Sequence, residues 1–270
     1  MDLLLQIDSD NDGLFTRSLR TSLEIYTSKM ETLIHGDLDA TNILFRQRVD
    51  DDADGRGDGD GDGPAGISLK VVDFESCRFG AAGVDLGMFL GSIVTFFAAH
   101  SLSAPRRNLL GQVAAAIDAY RVSFRIQFEA TSRKAGATTT TNTNTARDLD
   151  TVLQSILADA VGIAGCHVLL QAIEPGPQQQ GEADRAIPLE RVLGCSWGDV
   201  TGKQRSVRRR MVRIAGQLLQ LSLPHYQSSS SISSPSQSPP PSMSVDSIVK
   251  ALRMDDTWLS SDHYTEFWSL

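Results

Sequence analysis

Polar side chains at the ends of short apolar runs restrict the fold of this chain more than any other feature. One run ends at Ile34 and is soon followed by Asp37, and another ends at Val72 and is followed by Asp73. Between them, Asn42 precedes a third apolar run. Such runs predict short strands around a loop, with oxygen-bearing side chains at one edge. The sequence therefore predicts a strand-loop-strand hairpin that brings these three side chains together.

Carboxylate and amide oxygens in this order suit phosphoryl transfer. In that reaction one Asp positions or deprotonates the attacking hydroxyl, while an Asn and a second Asp hold the magnesium ions on the nucleotide phosphates. Magnesium prefers oxygen ligands and retains several waters, so two or three protein oxygens suffice. The order predicts Asp37 as the catalytic residue, and Asn42 and Asp73 as the residues that hold the metal and, through it, the nucleotide. Each residue taken alone is more commonly a turn or cap residue, so the prediction depends on the ordered set.

The same residues carry a resemblance to a known family. His35-Gly36-Asp37, followed by Asn42 and by Asp73-x-Glu75, resembles the motifs of small-molecule kinases, the aminoglycoside phosphotransferase and choline kinase family. Within that family, the segments LIHGDL, VVDFE and FGAAGVDLG are most similar to the S-methyl-5-thioribose kinases. The resemblance implies the C-terminal, large lobe of the protein-kinase-like fold, with ATP and Mg²⁺ as cofactors. It also implies a hydroxyl of a small metabolite as phosphate acceptor and a role in methionine salvage.

The resemblance also assigns supporting residues. Glu75 would help to hold a second magnesium ion, because the Asp-x-Glu spacing places it on the same face of an extended segment as Asp73; a solvated edge charge is the alternative. His35 would fix the loop by packing and hydrogen bonding, and Asp85 would brace the loop backbone, with a simple helix cap as its alternative. Two functional alternatives stay open: a different acceptor, such as choline or an aminoglycoside-like compound, and a catalytically inactive pseudokinase or fragment that serves as a binding module.

An acidic, glycine-rich insertion separates the two halves of the motif. Asp37 and Asp73 are 36 positions apart, and 19 when the 17 residues from Asp50 to Gly66 are left out. The shorter spacing suits a hairpin and is close to that of the family. A segment so poor in apolar side chains cannot offset the entropy of ordering, so we expect residues 50–66 to be a disordered insertion.

The rest of the chain predicts helices and linkers. Apolar residues recur at helical spacing near positions 14–30, 106–130, 149–170 and 205–223, and residues 86–100 are apolar on nearly every side. We expect an α+β, mostly helical protein. Its expected segments are an N-terminal segment and helix at 1–30, a kinase-like lobe at 31–227 with a second disordered insertion at 135–146, a Ser/Pro linker at 228–243, and a tail at 244–270 that docks on the lobe or on a partner.

Two features depart from the family pattern. Kinases of this fold cover ATP with a smaller N-terminal lobe that carries a Gly-rich loop and a Lys, whereas the residues before His35 contain no such loop and only Lys29. We therefore expect a large lobe that lacks its N-terminal lobe or receives it from a separate partner. The arginine pair that recognises substrate in the family is also missing after Cys166, where the sequence reads HVLLQ. We expect His167 there to be an internally satisfied helix residue.

Composition limits the classes of protein and the cellular compartments that we expect for this chain. The net charge is −8, from 25 basic and 33 acidic residues, and gives no reason to expect nucleic-acid binding. The cysteines, Cys77, Cys166 and Cys195, form no CxxC pair, as is typical of a reduced, cytoplasmic protein. We expect neither a signal peptide nor a segment apolar enough to span a membrane. The expected partners are a small-molecule substrate and either a second copy or a separate N-terminal lobe.

Overall fold

The computed structural model describes residues 13–47, 67–99, 103–134, 143–173, 201–230 and 243–258. Helices dominate these residues and strands are a minor component, so the predicted mostly helical α+β class is confirmed. The helices are α1 (Leu14–Ser28), α2 (Val84–Ala99), α3 (Ser103–Lys134), α4 (Thr143–Ile173), α5 (Thr201–Ser230) and α6 (Val245–Trp258). The strands are β1 (Thr32–Ile34), β2 (Ile43–Gln47), β3 (Ile67–Val71) and β4 (Arg78–Gly80).

The strands form two separate antiparallel ladders. β1 pairs with β4, so that Leu33 lies opposite Phe79, and β2 pairs with β3, so that Phe45 lies opposite Leu69. The prediction of a single hairpin around the loop was therefore only partly right, because β1 has a partner of its own. That partner, β4, has three residues, too few to give an alternating pattern in the sequence. The loop after β1 thus leaves one ladder and enters the other.

A largely buried helix, α4, lies within the helical layer. It packs against α5, α2 and α1, and Leu153, Leu157 and Val161 are among its buried side chains. The apolar helix α2 packs along it and contributes Val94 and Phe97 to the same core cluster. Side chains packed in this way hold the two helices at a fixed separation. The first turn of α2 therefore has a defined position next to the loop between β1 and β2.

Two helices extend into segments that the sequence assigned to linkers. α4 begins at Thr143 and α5 ends at Ser230, so residues 143–146 and 228–230 are helical, contrary to the expected insertion and linker. Neither extension contains Gly or Pro, and a long packed helix can propagate through such residues despite their weak helix propensity. The predicted insertion at 50–66, and the remaining parts of 135–146 and 228–243 apart from Met243, lie outside the described residues.

The tail begins with a helix that docks on the lobe. Met243, Ile248 and Leu252 are buried, and α6 packs against α5 and α3. The backbone N–H of Met243 donates a hydrogen bond to the side-chain oxygen of Gln154, 2.6 Å away. We expected the tail to dock on the lobe or on a partner, and the structure shows that its helix α6 docks on the lobe. Residues 259–270 lie outside the described part of the chain.

One segment corrects the expectation about membrane spans. Residues Leu149–Ala172 of α4 are long and apolar enough, by length and composition alone, to cross a membrane. Within the protein, 72% of the tested window is buried. A core helix has this character because neighbouring helices cover it on most sides. The contacts of α4 with three other helices account for its apolar sequence.

Candidate active site

A carboxylate from α2 holds the loop that follows β1. Asp85, in the first turn of α2, accepts hydrogen bonds from the backbone N–H groups of His35 and Gly36 at 2.8 and 2.9 Å. Each carboxylate oxygen accepts one of them. Hydrogen bonds to an ionised acceptor are stronger than neutral ones, and both donor residues are buried. The start of α2 therefore fixes the backbone immediately before Asp37.

The imidazole of His35 joins this loop to the segment that contains Asp73. Its Nε2 lies 2.9 Å from the carbonyl oxygen of Val72, and its ring centroid lies 4.9 Å from that of Phe74. A carbonyl group only accepts, so Nε2 carries the proton and donates. Nδ1 is then free to accept the backbone N–H of Asp37, 3.4 Å away. His35 thus holds the two motif segments together and has no free nitrogen to act as a base.

Gly36 occupies a position that suits no other residue. Its φ is +82°, and a Cβ placed on it would lie 2.4 Å from the backbone oxygen of Ser76. We expect Gly36→Ala to lower the free energy of unfolding by about 1–3 kcal/mol, because the side chain adds both backbone strain and a clash. Gly13→Ala is the matched control, since Gly13 has φ +70° but nothing within 4 Å of a Cβ. Equal losses for the two variants in urea denaturation would contradict the proposed clash.

Asp37 and Asn42 are in contact. The Nδ2 of Asn42 donates to the backbone carbonyl of Asp37 at 2.8 Å and lies 3.4 Å from Oδ2 of its carboxylate. The short 3₁₀ turn Ala40–Asn42 folds the chain back so that residues five apart in sequence meet. Because the amide nitrogen faces Asp37, the amide oxygen of Asn42 is the atom left to bind a cation.

Asp73 is joined to this pair through the backbone. The N–H of Val72 donates to the carbonyl of Asn42 at 3.0 Å, which places Asp73 one residue beyond that bond. Asp73 has φ 67° and ψ 60°, the only positive φ among the non-glycine residues that the structure describes. This left-handed conformation costs roughly 1–2 kcal/mol and is a common mark of functional sites. The exposed carboxylate forms no hydrogen bond with another described residue, so both of its oxygens are available.

Glu75 departs from the geometry that its spacing suggested. An extended segment would present Asp73 and Glu75 on one face, but Glu75 lies in the 3₁₀ helix Phe74–Ser76 instead. Its side chain is exposed. The alternating geometry was therefore wrong, because the left-handed backbone at Asp73 ends the strand conformation. The assignment of Glu75 to a second metal ion stays a prediction.

The predicted metal ligands Asn42 and Asp73 present oxygen atoms of the kind that Mg²⁺ takes. In the described part of the chain, no group of three or more His, Cys, Asp or Glu side chains could hold a metal by itself. The donors of this pair are one carboxylate and one amide oxygen, both hard ligands. Protein sites with one or two carboxylates leave the remaining positions to phosphate oxygens and waters. The two oxygens could therefore serve as part of a magnesium site, with phosphate and water oxygens as the remaining ligands.

The turn that leads into α2 is held from two further directions. The carboxylate of Glu31 accepts the backbone N–H of Ala82 at 3.1 Å, and the hydroxyl of Tyr120 donates to the carbonyl of Ala82 at 3.3 Å. Burial, together with the charges of Asp85 and Glu31, raises the pKa of Tyr120 to about 12. The hydroxyl therefore stays protonated and continues to donate. These contacts support the position of Asp85.

Lys29, the one Lys before the loop, has a structural role. Its ammonium group pairs with the carboxylates of Asp159 at 2.6 Å and Glu31 at 3.0 Å. Burial lowers the pKa of Lys29, but hydrogen bonds and charges from both carboxylates outweigh it, so the pKa is raised. Asp159 is fully buried, and an ion pair with a buried carboxylate is costly to break. Lys29 therefore ties α1 to α4 and is not available to bind phosphate.

Sequence reasoning missed one residue that contacts the loop. The hydroxyl of Ser92, on α2, accepts the backbone N–H of Ala40 at 3.2 Å and donates to the carbonyl of Met88 at 3.0 Å. His167, which we expected to be an internally satisfied helix residue, is buried on α4, where burial lowers its pKa and the charges of Asp39 and Asp37 act in the opposite direction. Ser92 lies on an apolar helix, where a lone polar residue gives no signal of the loop that it contacts.

An open groove elsewhere does not belong to this site. It has a volume of about 330 Å³ and is lined by α1 residues alone, Thr16, Leu19, Arg20, Leu23, Glu24 and Thr27. None of these residues belongs to the motif or to the two ladders. The groove therefore carries no argument about the substrate.

Comparisons with known proteins assign no family. No protein-family model matches the chain, and no curated protein is significantly similar to it. The functional conclusion below therefore depends on the residues of the loop and on their geometry.

Proposed function

We propose that this chain is the large lobe of an ATP- and Mg²⁺-dependent kinase that phosphorylates a hydroxyl of a small metabolite. The observation that carries the proposal is the construction of the loop at Asp37. Its backbone is held by Asp85, 50 residues away in sequence, and its carboxylate lies beside Asn42. A His-Gly-Asp tripeptide that occurred by chance would not require these partners. The contacts of the loop therefore support a functional role for the Asp37 carboxylate.

Each site residue then has a defined part in the reaction. Asp37 accepts the proton of the acceptor hydroxyl as the hydroxyl oxygen bonds to the γ-phosphorus of ATP. The bond between that phosphorus and the bridging oxygen breaks, and ADP leaves with the electron pair. Asn42 and Asp73 would hold the Mg²⁺ of ATP, which neutralises charge on the phosphates, and Glu75 would support a second ion. His35 and Asp85 position the loop and take no part in proton transfer.

The arrangement of the elements supports a kinase-like lobe. The motif residues lie in the segments that connect the two short ladders, and β1 contacts the helical layer through Ile34, which packs in one cluster with Val84 in the first turn of α2. We interpret this arrangement as the large lobe of the protein-kinase-like fold. The interpretation also assigns the protein to the cytoplasm, where ATP and small-metabolite acceptors are found.

Methylthioribose is the acceptor that we propose first, with a role in methionine salvage. The similarity of LIHGDL, VVDFE and FGAAGVDLG to the S-methyl-5-thioribose kinases supports this choice. The missing arginine pair weighs against an identical substrate site, since an apolar side chain cannot replace a guanidinium group. Choline and aminoglycoside-like compounds are therefore the alternative acceptors.

A coupled assay for ADP tests the proposed reaction. The chain completed by an N-terminal lobe is expected to release ADP from ATP and Mg²⁺ when methylthioribose is added, and to stop when EDTA removes the metal. Choline and an aminoglycoside are assayed in parallel under the same conditions. Folded protein that binds no Mg²⁺-ATP and turns over none of the three acceptors would contradict the proposed activity.

A second candidate function, as a binding module, is favoured by exposed apolar side chains on both ladders. The cross-strand pairs Leu33 with Phe79 and Phe45 with Leu69 expose between 63 and 75% of their surface. Large apolar side chains that cluster at a surface are typical of an interaction site. We propose that these ladders receive a separate partner that carries the smaller, nucleotide-covering lobe of the kinase, or else pack against a second copy of this chain. A chain that forms such a complex but transfers no phosphate would be an inactive binding module.

A further inference from the structure

The 3₁₀ turn that leads into β2 has a hydrogen-bond partner outside its own loop. The first N–H groups of a helical turn have no acceptor within that turn. Here the N–H of Thr41 donates to the carboxylate of Asp39 at 2.6 Å, and the N–H of Asn42 donates to the carbonyl of Asp39 at 3.2 Å. The N–H of Ala40 donates instead to the hydroxyl of Ser92, 52 residues away on α2, at 3.2 Å. Ser92 therefore joins the turn to the helical layer.

The hydroxyl of Ser92 is oriented by its own helix. It donates its proton to the carbonyl of Met88, one turn earlier on α2, at 3.0 Å. A hydroxyl has one proton and two lone pairs, so its lone pairs remain to accept the N–H of Ala40. Ser92 is 6% exposed, so little water reaches its oxygen to compete for this bond. The acceptor is therefore already in place for the turn.

Ser92 is the second point at which α2 binds the loop. Asp85, the first, accepts the backbone N–H groups immediately before Asp37. Ser92 follows Asp85 by seven residues, or two helical turns, so both side chains lie on one side of α2, about 10 Å apart along its axis. The loop residue that Ser92 binds, Ala40, comes three residues after Asp37. The chain is therefore bound to α2 both before and after Asp37.

The helix that carries these two side chains has no room to move toward α4. A Cβ on Gly87 would lie 2.7 Å from the carbonyl oxygen of Ala160, and one on Gly91 would lie 2.8 Å from the Cβ of His167. The two helices thus approach too closely for a side chain at either glycine. Protein interiors packed this tightly transmit small shifts and do not absorb them. The position of Ser92 relative to the core is therefore fixed.

We propose that Ser92 is a positioning residue that keeps Asp37 and Asn42 in contact by binding the turn between them to α2. The Nδ2 of Asn42 reaches the carbonyl of Asp37 at 2.8 Å because the turn brings the two residues together. Without the hydroxyl, the N–H of Ala40 loses its acceptor and the turn is no longer joined to α2 at this point. The effect on this contact is independent of the proposed kinase function.

An effect on phosphoryl transfer follows from the proposed kinase function, on which it rests. Asp37 would then be less well placed to take the proton of the acceptor hydroxyl. A small misplacement of a catalytic group has a large effect on rate, because the reacting atoms must approach within a narrow range of distances. Ser92 thereby acts on the reaction through the loop and does not itself touch the substrate.

NMR of the 270-residue chain tests the positioning role. Ser92→Ala is expected to speed hydrogen exchange at the amide of Ala40 about fivefold, the ratio for the loss of one hydrogen bond, and to shift the side-chain amide signals of Asn42 toward those of an exposed Asn. Ser92→Thr, which keeps the hydroxyl, is expected to restore both toward wild type. Ser18→Ala is the matched control, because Ser18 is also buried and its hydroxyl also donates to the carbonyl four residues earlier, that of Leu14, but within α1.

The coupled assay for ADP, on the chain completed by an N-terminal lobe, measures the consequence for catalysis. Ser92→Ala is expected to lower kcat about tenfold with little change in the KM for ATP, because the change acts on Asp37 and not on the nucleotide. Ser18→Ala is expected to leave both constants near wild type. A loss of stability alone would affect the two serine variants alike.

The outcomes separate this inference from the proposed function. Unchanged Ala40 exchange and Asn42 signals in folded Ser92→Ala would overturn the positioning role, as would equal changes in Ser18→Ala or equal kcat values of wild type and Ser92→Ala. The expected NMR changes in a chain that transfers no phosphate would support the role of Ser92 and count against the kinase activity alone. If Ser92→Ala does not fold, Ser92→Cys, whose thiol is a weak acceptor, is measured in its place and the same outcomes decide.

Discussion

Asp37→Asn is expected to reduce the turnover number of phosphoryl transfer by about 10²–10⁴-fold, the usual contribution of a general base. The amide keeps the size of the side chain and can still lie beside Asn42, but it cannot accept the proton of the acceptor hydroxyl. The backbone bonds of the loop to Asp85 are unaffected by this change, so the loop should keep its conformation. Steady-state kinetics should therefore show a lower kcat with little change in the KM for ATP.

Asp39→Asn is the matched control for this experiment. Asp39 lies two residues away in the same loop, and its side chain caps the 3₁₀ turn by accepting the N–H of Thr41 at 2.6 Å. Asn caps nearly as well as Asp, so this variant removes one negative charge and retains the local structure. We expect its kcat to stay within a fewfold of wild type. An Asp37→Asn variant that retained wild-type kcat would rule out the assigned role of Asp37.

Asp85→Ala is expected to lower the free energy of unfolding by roughly 3 kcal/mol or more and to abolish turnover. The change removes two hydrogen bonds to an ionised acceptor, each worth about 1.5–3 kcal/mol, and leaves the N–H groups of His35 and Gly36 buried without a partner. It also removes a negative charge from the first turn of α2, where the helix dipole favours one. Urea denaturation measures the first effect and the ADP assay the second.

Asp118→Ala controls for the loss of a carboxylate as such. Asp118 is 64% exposed on α3 and forms only a loose pair with Arg121, at 3.8 Å. Such surface substitutions usually change stability by less than about 0.5 kcal/mol. Asp85→Asn should fall between the two variants, because it retains one oxygen that can accept. If Asp85→Ala proved as stable as Asp118→Ala, the bonds between Asp85 and the loop would not have the strength assigned to them.

The sequence predicted the parts of the fold that depend on local patterns. The apolar runs around Leu33, Ile43 and Leu69 form strands, and the helical periodicity of α1 to α5 gave their existence and approximate bounds. Helix ends were predicted less well, because whether a helix continues through Thr, Asn or Ser residues depends on the packing of the whole helix. The pairing of β1 with β4 was missed because three-residue strands have no recognisable period.

For the site, local spacing predicted that Asp37 and Asn42 act together, and the structure places them in contact. Spacing could not predict the left-handed backbone at Asp73, which changes the direction of Glu75. Such a conformation is held by surrounding contacts and not by the preference of Asp itself. The bonds from His35 to Val72 and from Ser92 to Ala40 likewise connect residues far apart in sequence.

By itself, the sequence indicated phosphoryl transfer through the order of His35, Asp37, Asn42 and Asp73. It could do so because residue type and spacing fix the atoms that a short loop can present. The tertiary structure alone decided how that loop is held and which further side chain reaches it. Asp85 lies on α2, 48 residues after Asp37 in the sequence, and its position beside the loop depends on the packing of α2 against α4. No local sequence pattern predicts this proximity, because it depends on the packing of elements that are far apart in the sequence.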